Sequence, residues 1–242
     1  PLLDGRKMLA HRRQHGLLPT FEPPDMVIFC YHRPLLSHFR WRSKRVQGFF
    51  GESCLLKKRG PWGRSALVGN FGVGAPTLAV LLEEWAAFGV KRFVTVGMAG
   101  TIQPHLQAGD VMFCQRALRD EGTSHHYDAT AARYAEATAV FTQQFIQKWP
   151  HPHHVGASWT TDAPYRETRP EVDAYAAEGI LTVEMEAAAL FTVGNYLGVE
   201  TAAILVIGDH VTPTGWTFDF DHKLVDKRLR QVIDFLCTDG NK

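Results

Sequence analysis

The sequence lacks the long apolar segments that mark membrane-spanning and exported proteins. It contains no run of about 18 apolar residues, so we expect no transmembrane helix. The first residues, PLLDGRKMLAHRRQHG, include several basic side chains but no apolar core of the kind that a secretory signal needs. We therefore expect a cytoplasmic protein with no membrane partner.

Cysteine is scarce, and its spacing forms no known motif. The four cysteines, Cys30, Cys54, Cys114 and Cys237, are scattered without CxxC spacing. Three of them lie in apolar stretches, a pattern typical of reduced, buried thiols in the cytoplasm. A disulfide framework is not expected.

Clusters of histidine are present, but their spacing does not favour a metal site. RDEGTSHHY (119–127) contains the adjacent residues His125 and His126, and HPHH (151–154) resembles a polar loop. Adjacent histidines rarely converge on one ion without other ligands placed around it. We expect neither a metal nor an organic cofactor.

The net charge is small, but the charges are unevenly distributed. The chain has a net charge of +1, whereas residues 1–70 have 13 Lys+Arg against 4 Asp+Glu. This basic third could be a solvated face, a subunit contact or a site for an anionic small molecule. Nucleic acid binding is not expected, because no aromatic-interleaved RNA motif or recognition helix accompanies the charge. Residues 1–25 are predicted to be a basic N-terminal extension.

The 242 residues alternate short β-branched runs with longer helical patterns. With 45% apolar and 21% charged residues, the composition is that of an ordinary folded protein. No linker or repeat divides the chain, which predicts a single α/β domain over residues 1–242. The predicted strands are 26–31, 65–70, 92–97, 110–115 and 202–208. The predicted helices are 76–89, 129–149, 169–179, 185–198 and 223–237.

Polar and glycine-rich residues follow the predicted strands, where ligands gather in α/β sheets. GNFGVGAP (69–76) follows one strand and opens a helix, but its GxxGxG spacing matches no dinucleotide or P-loop motif. Alone, it is better explained as a tight turn between a strand and a helix. VGMAGTIQPHLQAGD (96–110) ends the next strand in a similar way. Two such turns on successive strands favour a shared ligand pocket.

Three carboxylates also lie at strand ends, and the role of each has two possible interpretations. Glu184 and Glu186 lie inside the apolar run LTVEMEAAALF, where an unpartnered charge would cost several kcal/mol. They could bind a polar ligand, or one could cap a helix N-terminus. Asp209, in GDH, could be a general acid or the N-cap of the following segment.

Read together, the motifs resemble the nucleoside phosphorylase family of purine nucleoside and uridine phosphorylases. The resemblance covers most of residues 64–212. It is carried by GVGAPTLAVLLEEW, VGMAGTIQPHLQAGDV, RDEGTSHHY, TTDAPY, GILTVEMEAAALF and VIGDH. The resemblance implies a three-layer α/β/α fold with a central mixed, partly barrel-like sheet. It also implies a homo-oligomer, a dimer or a hexamer, whose active site is completed by a neighbouring subunit.

The resemblance assigns expected roles to the sugar and base regions. Met185 and Glu186 match the pair that binds ribose, and Glu184 matches a neighbouring glutamate. Asp209 matches the aspartate that protonates the base in purine-specific members. Further substrate-binding candidates come from the glycine turns and the base-stacking segment: Gly72, Val73, Gly97, Trp159, Tyr165 and Arg169.

The expected phosphate region departs from the family pattern. Thr95 stands where phosphorylases have a phosphate-clamping arginine, and Met98 replaces a hydroxyl-bearing residue. The remaining candidates for phosphate binding are Arg33, Arg45 and Arg119. The resemblance implies phosphorolysis of a nucleoside, expected to be a purine nucleoside, with phosphate as co-substrate. Hydrolysis by water and nucleoside binding without catalysis remain alternatives.

Overall fold

The computed structural model describes residues 1–212, 215–217 and 222–238, without the side chain of Arg33. Within these residues the chain forms eleven strands in one sheet and eight α-helices. The strands are β1 Met26–Cys30, β2 Ser43–Val46, β3 Glu52–Leu56, β4 Ser65–Gly69, β5 Arg92–Thr101, β6 Val111–Asp120, β7 Tyr134–Glu136, β8 His154–Thr161, β9 Ile180–Glu184, β10 Glu200–Thr212 and β11 Gly215–Thr217. The helices are α1 Gly5–Gln14, α2 Arg33–His38, α3 Ala75–Phe88, α4 Ser124–Tyr127, α5 Ala139–Lys148, α6 Arg169–Ala177, α7 Ala187–Leu197 and α8 His222–Cys237.

Five of the strands close into a barrel, and the others extend from it. Strand β10 pairs with both β5 and β6, and the ring continues from β6 through β8 and β9 back to β5. Strands β1, β4, β3 and β2 continue the sheet outward from β5. The β5–β1, β5–β10 and β6–β8 pairs are parallel, whereas β6–β10 and β5–β9 are antiparallel. The predicted mixed, partly barrel-like sheet is confirmed.

Helices cover both faces of this sheet, because alternate residues of its strands enter different cores. Val27 and Phe29 of β1 pack with α3 and α7, whereas Met26 and Ile28 pack with α2, α5 and α8. All five residues of β1 are buried, as expected for a strand covered on both sides. None of the helices in the described part of the chain is long and apolar enough to cross a membrane.

The predicted helix over 129–149 is wrong in its first half. Residues 134–136 form β7, which pairs with β6 and places Glu136 opposite Arg116; the helix occupies only Ala139–Lys148. The alanines of this segment favour a helix, but an unpaired edge of β6 offers competing backbone hydrogen bonds. Tertiary pairing therefore overrides local propensity here.

The basic N-terminal segment packs on α3 through one buried ion pair. Arg12 of α1 donates to both carboxylate oxygens of Glu84, at 2.9 and 2.7 Å, and to the carbonyl oxygen of Gly48 at 2.6 Å. Glu84 is buried, with 5% of its surface exposed. Gly5 lies so close to α3 that a Cβ atom there would approach the Glu83 carbonyl oxygen. The segment is thus held by specific contacts.

Replacing Arg12 with alanine should lower the free energy of unfolding by about 3 kcal/mol, because it leaves the buried Glu84 carboxylate without its counter-charge. Urea unfolding measures the change. The control is Arg13→Ala on the exposed side of α1, which should change stability by less than about 0.5 kcal/mol. Equal effects of the two substitutions would show that the ion pair does not anchor α1.

Candidate active site

A cavity of about 650 Å³ opens beside the barrel strands β5, β9 and β10. This volume suits a small organic ligand. Six of the residues predicted from the sequence line it: Met98, Tyr165, Arg169, Glu184, Met185 and Asp209. The cavity is therefore lined by residues from several strand ends, which the sequence analysis had identified one by one.

Glu184 ends strand β9, and its carboxylate is fully hydrogen-bonded. One oxygen accepts from the hydroxyls of Ser158 and Thr160, at 3.2 and 2.6 Å. The other accepts from the backbone N–H groups of Glu186 and Ala187, both at 2.7 Å. Burial raises the pKa of Glu184, and these donors oppose the rise. The carboxylate therefore caps α7 and fixes the Glu184–Glu186 segment against the barrel.

Glu186 connects this segment to the glycine turn that follows β4. Its carboxylate accepts from the backbone N–H of Gly74 at 2.5 Å and is 8% exposed. The turn needs glycine, because Gly72 and Gly74 have φ of 89° and 100°. Burial and the charge of Glu184 raise the pKa of Glu186 to about 8. Glu186 does not itself line the cavity, but the neighbouring Met185 does.

Asp209 lies near the carboxyl end of β10, next to a bulge in its pairing with β5. The indole N–H of Trp216, on β11, donates to its carboxylate at 2.5 Å. Gly100 packs against the same carboxylate, where a Cβ atom would come within 3.1 Å of an oxygen. Trp216 also lines the cavity and is 58% exposed.

Glu167 is a second acidic residue in the cavity that sequence reasoning missed. It follows a short 3-10 helix at Pro164–Arg166 and lines the cavity with Asp209. Burial, followed by the charges of Asp209 and Glu171, raises its pKa to about 7. The sequence predicted its neighbours Tyr165 and Arg169 as substrate-binding residues, so it did indicate this segment. Glu167 itself matched no motif.

The structure does not bring Trp159 to the cavity. Its ring is buried in a core cluster of β8, β9 and α6 residues, with 1% exposed. The indole N–H donates to Asp120 at 2.8 Å, and Tyr175 packs edge-on at 4.9 Å between ring centroids. Alternation along β8 turns this side chain away from the ligand space. Tyr165, at 99% exposed, lies on the rim instead.

The predicted phosphate region contains hydroxyl groups. Buried Thr95 donates to the Tyr31 hydroxyl at 3.0 Å, and the Tyr31 ring lies over Gly97. Burial and then the charge of Glu186 raise the pKa of Tyr31 well above its ordinary value. The phenol is therefore neutral.

Val73, a predicted substrate-binding residue in the glycine turn, is 60% exposed.

The three arginine candidates differ in their availability to an anion. Arg119 uses all its N–H groups locally, on Ser124, Asp128, the Ala132 carbonyl and His125, so none is left for an external anion. Arg45 on β2 is largely exposed and pairs with Glu52 at 3.0 Å.

Arg33 begins α2, and its side chain lies outside the described atoms.

The described residues contain no group of three or more histidine, cysteine, aspartate or glutamate side chains that could hold a metal ion.

Comparison with known proteins points to one family. A sequence model described as the Phosphorylase superfamily matches residues 47–237. A guanosine phosphorylase from Halorubrum lacusprofundi is 28% identical over 173 residues, which are 70% of this chain and 72% of the relative. A uridine phosphorylase from Thermococcus kodakarensis is 30% identical over 156 residues, 58% of this chain and only 56% of the relative.

A solved structure extends the likeness to the fold. The crystal structure of a uridine phosphorylase from Vibrio fischeri ES114 superposes with a TM-score of 0.69 at 23% sequence identity. The superposition covers 88% of this chain and 87% of the other. At this identity the match concerns the arrangement of helices and strands.

Stability should fall as the pH rises from about 5 to about 8. Glu186 and Glu167 bind protons more tightly when folded, with pKa values of about 8 and about 7, than at their ordinary value of 4.5. Between these limits the folded state holds more protons, so raising the pH favours unfolding. Urea unfolding across this range should show the decline, and Glu186→Gln should flatten it. Stability that is constant or rises with pH would contradict the assignment.

Proposed function

We propose that this chain, which belongs to the phosphorylase superfamily, cleaves the N-glycosidic bond of a nucleoside by phosphorolysis. The products are a free base and a ribose or deoxyribose 1-phosphate. One observation carries the proposal: the hydrogen bond from Gly74 to Glu186 joins the glycine turn to the Glu184–Glu186 segment beside a carboxyl-lined cavity.

The sugar would be bound by Met185 and Glu186. Met185 offers an apolar thioether at the cavity wall, suited to packing on the ring of a pentose. The Glu186 carboxyl group already accepts one hydrogen bond from Gly74, and it has further lone pairs for sugar hydroxyls. Glu184 would hold this pair in place, because all four of its hydrogen bonds are made within the protein.

The base would be released as a neutral molecule after protonation by Asp209. A proton delivered to the base removes the negative charge that otherwise develops as the glycosidic bond breaks. A carboxyl group facing the base suits a purine, whose ring nitrogens accept protons. The relatives named above include a guanosine phosphorylase and a uridine phosphorylase. The purine preference therefore rests on Asp209.

Phosphate would enter between Thr95, Tyr31 and the glycine turns. Thr95 donates to Tyr31, so the pair has one O–H left to donate to phosphate, and neither hydroxyl carries a charge to balance it. The exposed Arg45 would supply that charge from a neighbouring subunit of a homo-oligomer.

A cytoplasmic location is part of the proposal. The four free cysteines are in keeping with it, because thiols stay reduced in the cytoplasm.

The decisive experiment measures free base after incubation with purine and pyrimidine nucleosides, with and without phosphate. Phosphate-dependent release with formation of sugar 1-phosphate supports the proposal. Equal release without phosphate would indicate hydrolysis, in which water replaces phosphate as the nucleophile. Release from none of the nucleosides, with binding retained, would indicate a binding protein.

Glu186→Gln should raise KM for the nucleoside and lower kcat, because the amide replaces one carboxyl oxygen with a donor and cannot ionise when sugar hydroxyls bind. The expected loss in kcat/KM is about 10²-fold, or roughly 2.7 kcal/mol. Steady-state kinetics provide the measurement. Glu178→Gln on the surface is the matched control, and unchanged kinetics for Glu186→Gln would remove this residue from the site.

Asp209→Asn should slow purine cleavage by about 10²–10⁴-fold, since asparagine keeps the acceptor for Trp216 but cannot deliver the proton. Single-turnover base release separates this chemical step from binding. Asp173→Asn, on the exposed side of α6, is the control. A purine rate within a few-fold of the unsubstituted protein would end the role of Asp209 as the acid.

A further inference from the structure

Three large apolar side chains of the cavity wall are uncovered. Met98 is 44% exposed, and Tyr165 and Trp216 are more exposed still. Apolar side chains that stay uncovered together in a concave wall indicate a binding surface for an apolar or planar ligand. Trp216 has the largest ring of the three, and its N–H also donates to Asp209, the expected acid.

The pairing of β11 with β10 sets the side to which Trp216 projects. Trp216 lies opposite Val211 in the antiparallel register. Asp209 lies two residues before Val211, and side chains two positions apart on a strand project to the same face. Diagonal neighbours across two strands are within reach of an aromatic side chain. All three residues line the cavity, so the pairing directs the indole to the ligand space.

The indole N–H engages one oxygen of the Asp209 carboxyl group. It donates to Oδ2 at 2.5 Å. The other oxygen, Oδ1, lies beside Gly100, where a Cβ atom would come within 3.1 Å of it. Gly100 is itself part of the cavity wall. Because hydrogen bonds are directional, the indole restrains the rotation of the carboxyl group and leaves Oδ1 at the wall.

The Trp216 ring also supplies an aromatic surface that β8 does not. Trp159 was the aromatic residue of β8 expected to contact the base, but it is buried in the core. More than half of the Trp216 surface is exposed, and the residue lines the cavity. Planar heterocycles stack on aromatic side chains of this kind, since both have extended π faces.

We propose that Trp216 sets the position of the base relative to the acid: its ring stacks on the base, and its N–H holds Asp209 with Oδ1 toward that base. This role rests on the proposed nucleoside cleavage and adds a residue to it. The ligand class is a planar heterocycle with a ring nitrogen that accepts a proton. Trp216 contacts the base through its ring, and toward Asp209 it is a positioning residue.

Binding of a free base tests the stacking without any reaction. Hypoxanthine should quench part of the tryptophan fluorescence of the ligand-free protein in a saturable titration, because a stacked base quenches the indole that it contacts. The chain has six tryptophans, so the titration is repeated on two variants. The quenching should be lost in Trp216→Phe and kept in Trp41→Phe, whose 82% exposed side chain lies outside the cavity wall. Absence of quenching that depends on Trp216 overturns the proposal.

Steady-state kinetics with a purine nucleoside separate the ring from the N–H. Trp216→Phe keeps an aromatic ring but loses the donor, so kcat should fall about tenfold while KM stays within about threefold. Trp216→Leu removes both, and KM should also rise about tenfold. Trp41→Leu is the matched control. Equal KM values for Trp216→Phe and Trp216→Leu overturn the stacking, and an unchanged kcat in Trp216→Phe overturns the positioning.

A double-mutant cycle shows whether the N–H acts through Asp209. In the Asp209→Asn background, Trp216→Phe should change kcat by less than about twofold, because the acid that it positions is already absent. A tenfold loss in both backgrounds would mean that the effect is unrelated to Asp209, and it would overturn the positioning role.

Failure of this role is distinguishable from failure of the proposed function. Base release by the unsubstituted protein, without quenching that depends on Trp216, overturns the role of Trp216 and leaves nucleoside cleavage standing. Quenching that depends on Trp216, without base release from any nucleoside, overturns the proposed cleavage and the positioning of Asp209 and leaves the stacking contact standing.

Discussion

The buried carboxylate of Glu184 is the interaction on which the arrangement of the site depends. Its four hydrogen bonds join β8, β9 and the N-terminus of α7. An isolated carboxylate at this depth would be strongly destabilising, so the hydroxyls of Ser158 and Thr160 and the two backbone N–H groups are required for it to be there. Because the backbone of Glu186 is one of these donors, the same contact sets the direction in which Met185 and Glu186 leave the strand. Met185, which lines the cavity, and Glu186 are thus positioned by a neighbour that is itself fully hydrogen-bonded.

The site combines three acidic side chains whose surroundings give them different properties. Glu184 accepts four hydrogen bonds, Glu186 has backbone donors in Gly74 and Met185 and a charged neighbour, and Glu167 has no donor among the described residues. The same residue type therefore has a different pKa environment at each of the three positions. The hydroxyl pair of Thr95 and Tyr31 is close enough to these acids for Glu186 to raise the pKa of Tyr31, and both hydroxyls are uncharged.

Much of the fold and part of the site could be predicted from local patterns. The apolar runs of β1, β4, β5, β6 and β10 mark buried strands, and the family motifs indicated the mixed sheet and most of the cavity wall. The helix expected over residues 129–149 shows the limit, because β7 forms where β6 offers unpaired backbone groups. Trp159 is a second example of this limit. It was expected to face the base, but side chains alternate along β8, and at this position the ring points into the core. That the chain forms a single domain stays a prediction.

The sequence by itself determined which residue types follow each strand, since glycine turns and carboxylates at strand ends are local features. It also determined the family, because the order of the motifs along the chain survives divergence at individual positions such as Thr95. Only the tertiary structure decided which of these groups share a cavity and what surrounds each one. The pKa of Glu167 is raised in part by Asp209, 42 positions later in the chain, and the Asp209 carboxylate accepts from the indole of Trp216 across the β10–β11 pair. Electrostatic and hydrogen-bonding effects act over distance in space, and the closure of the barrel sets those distances.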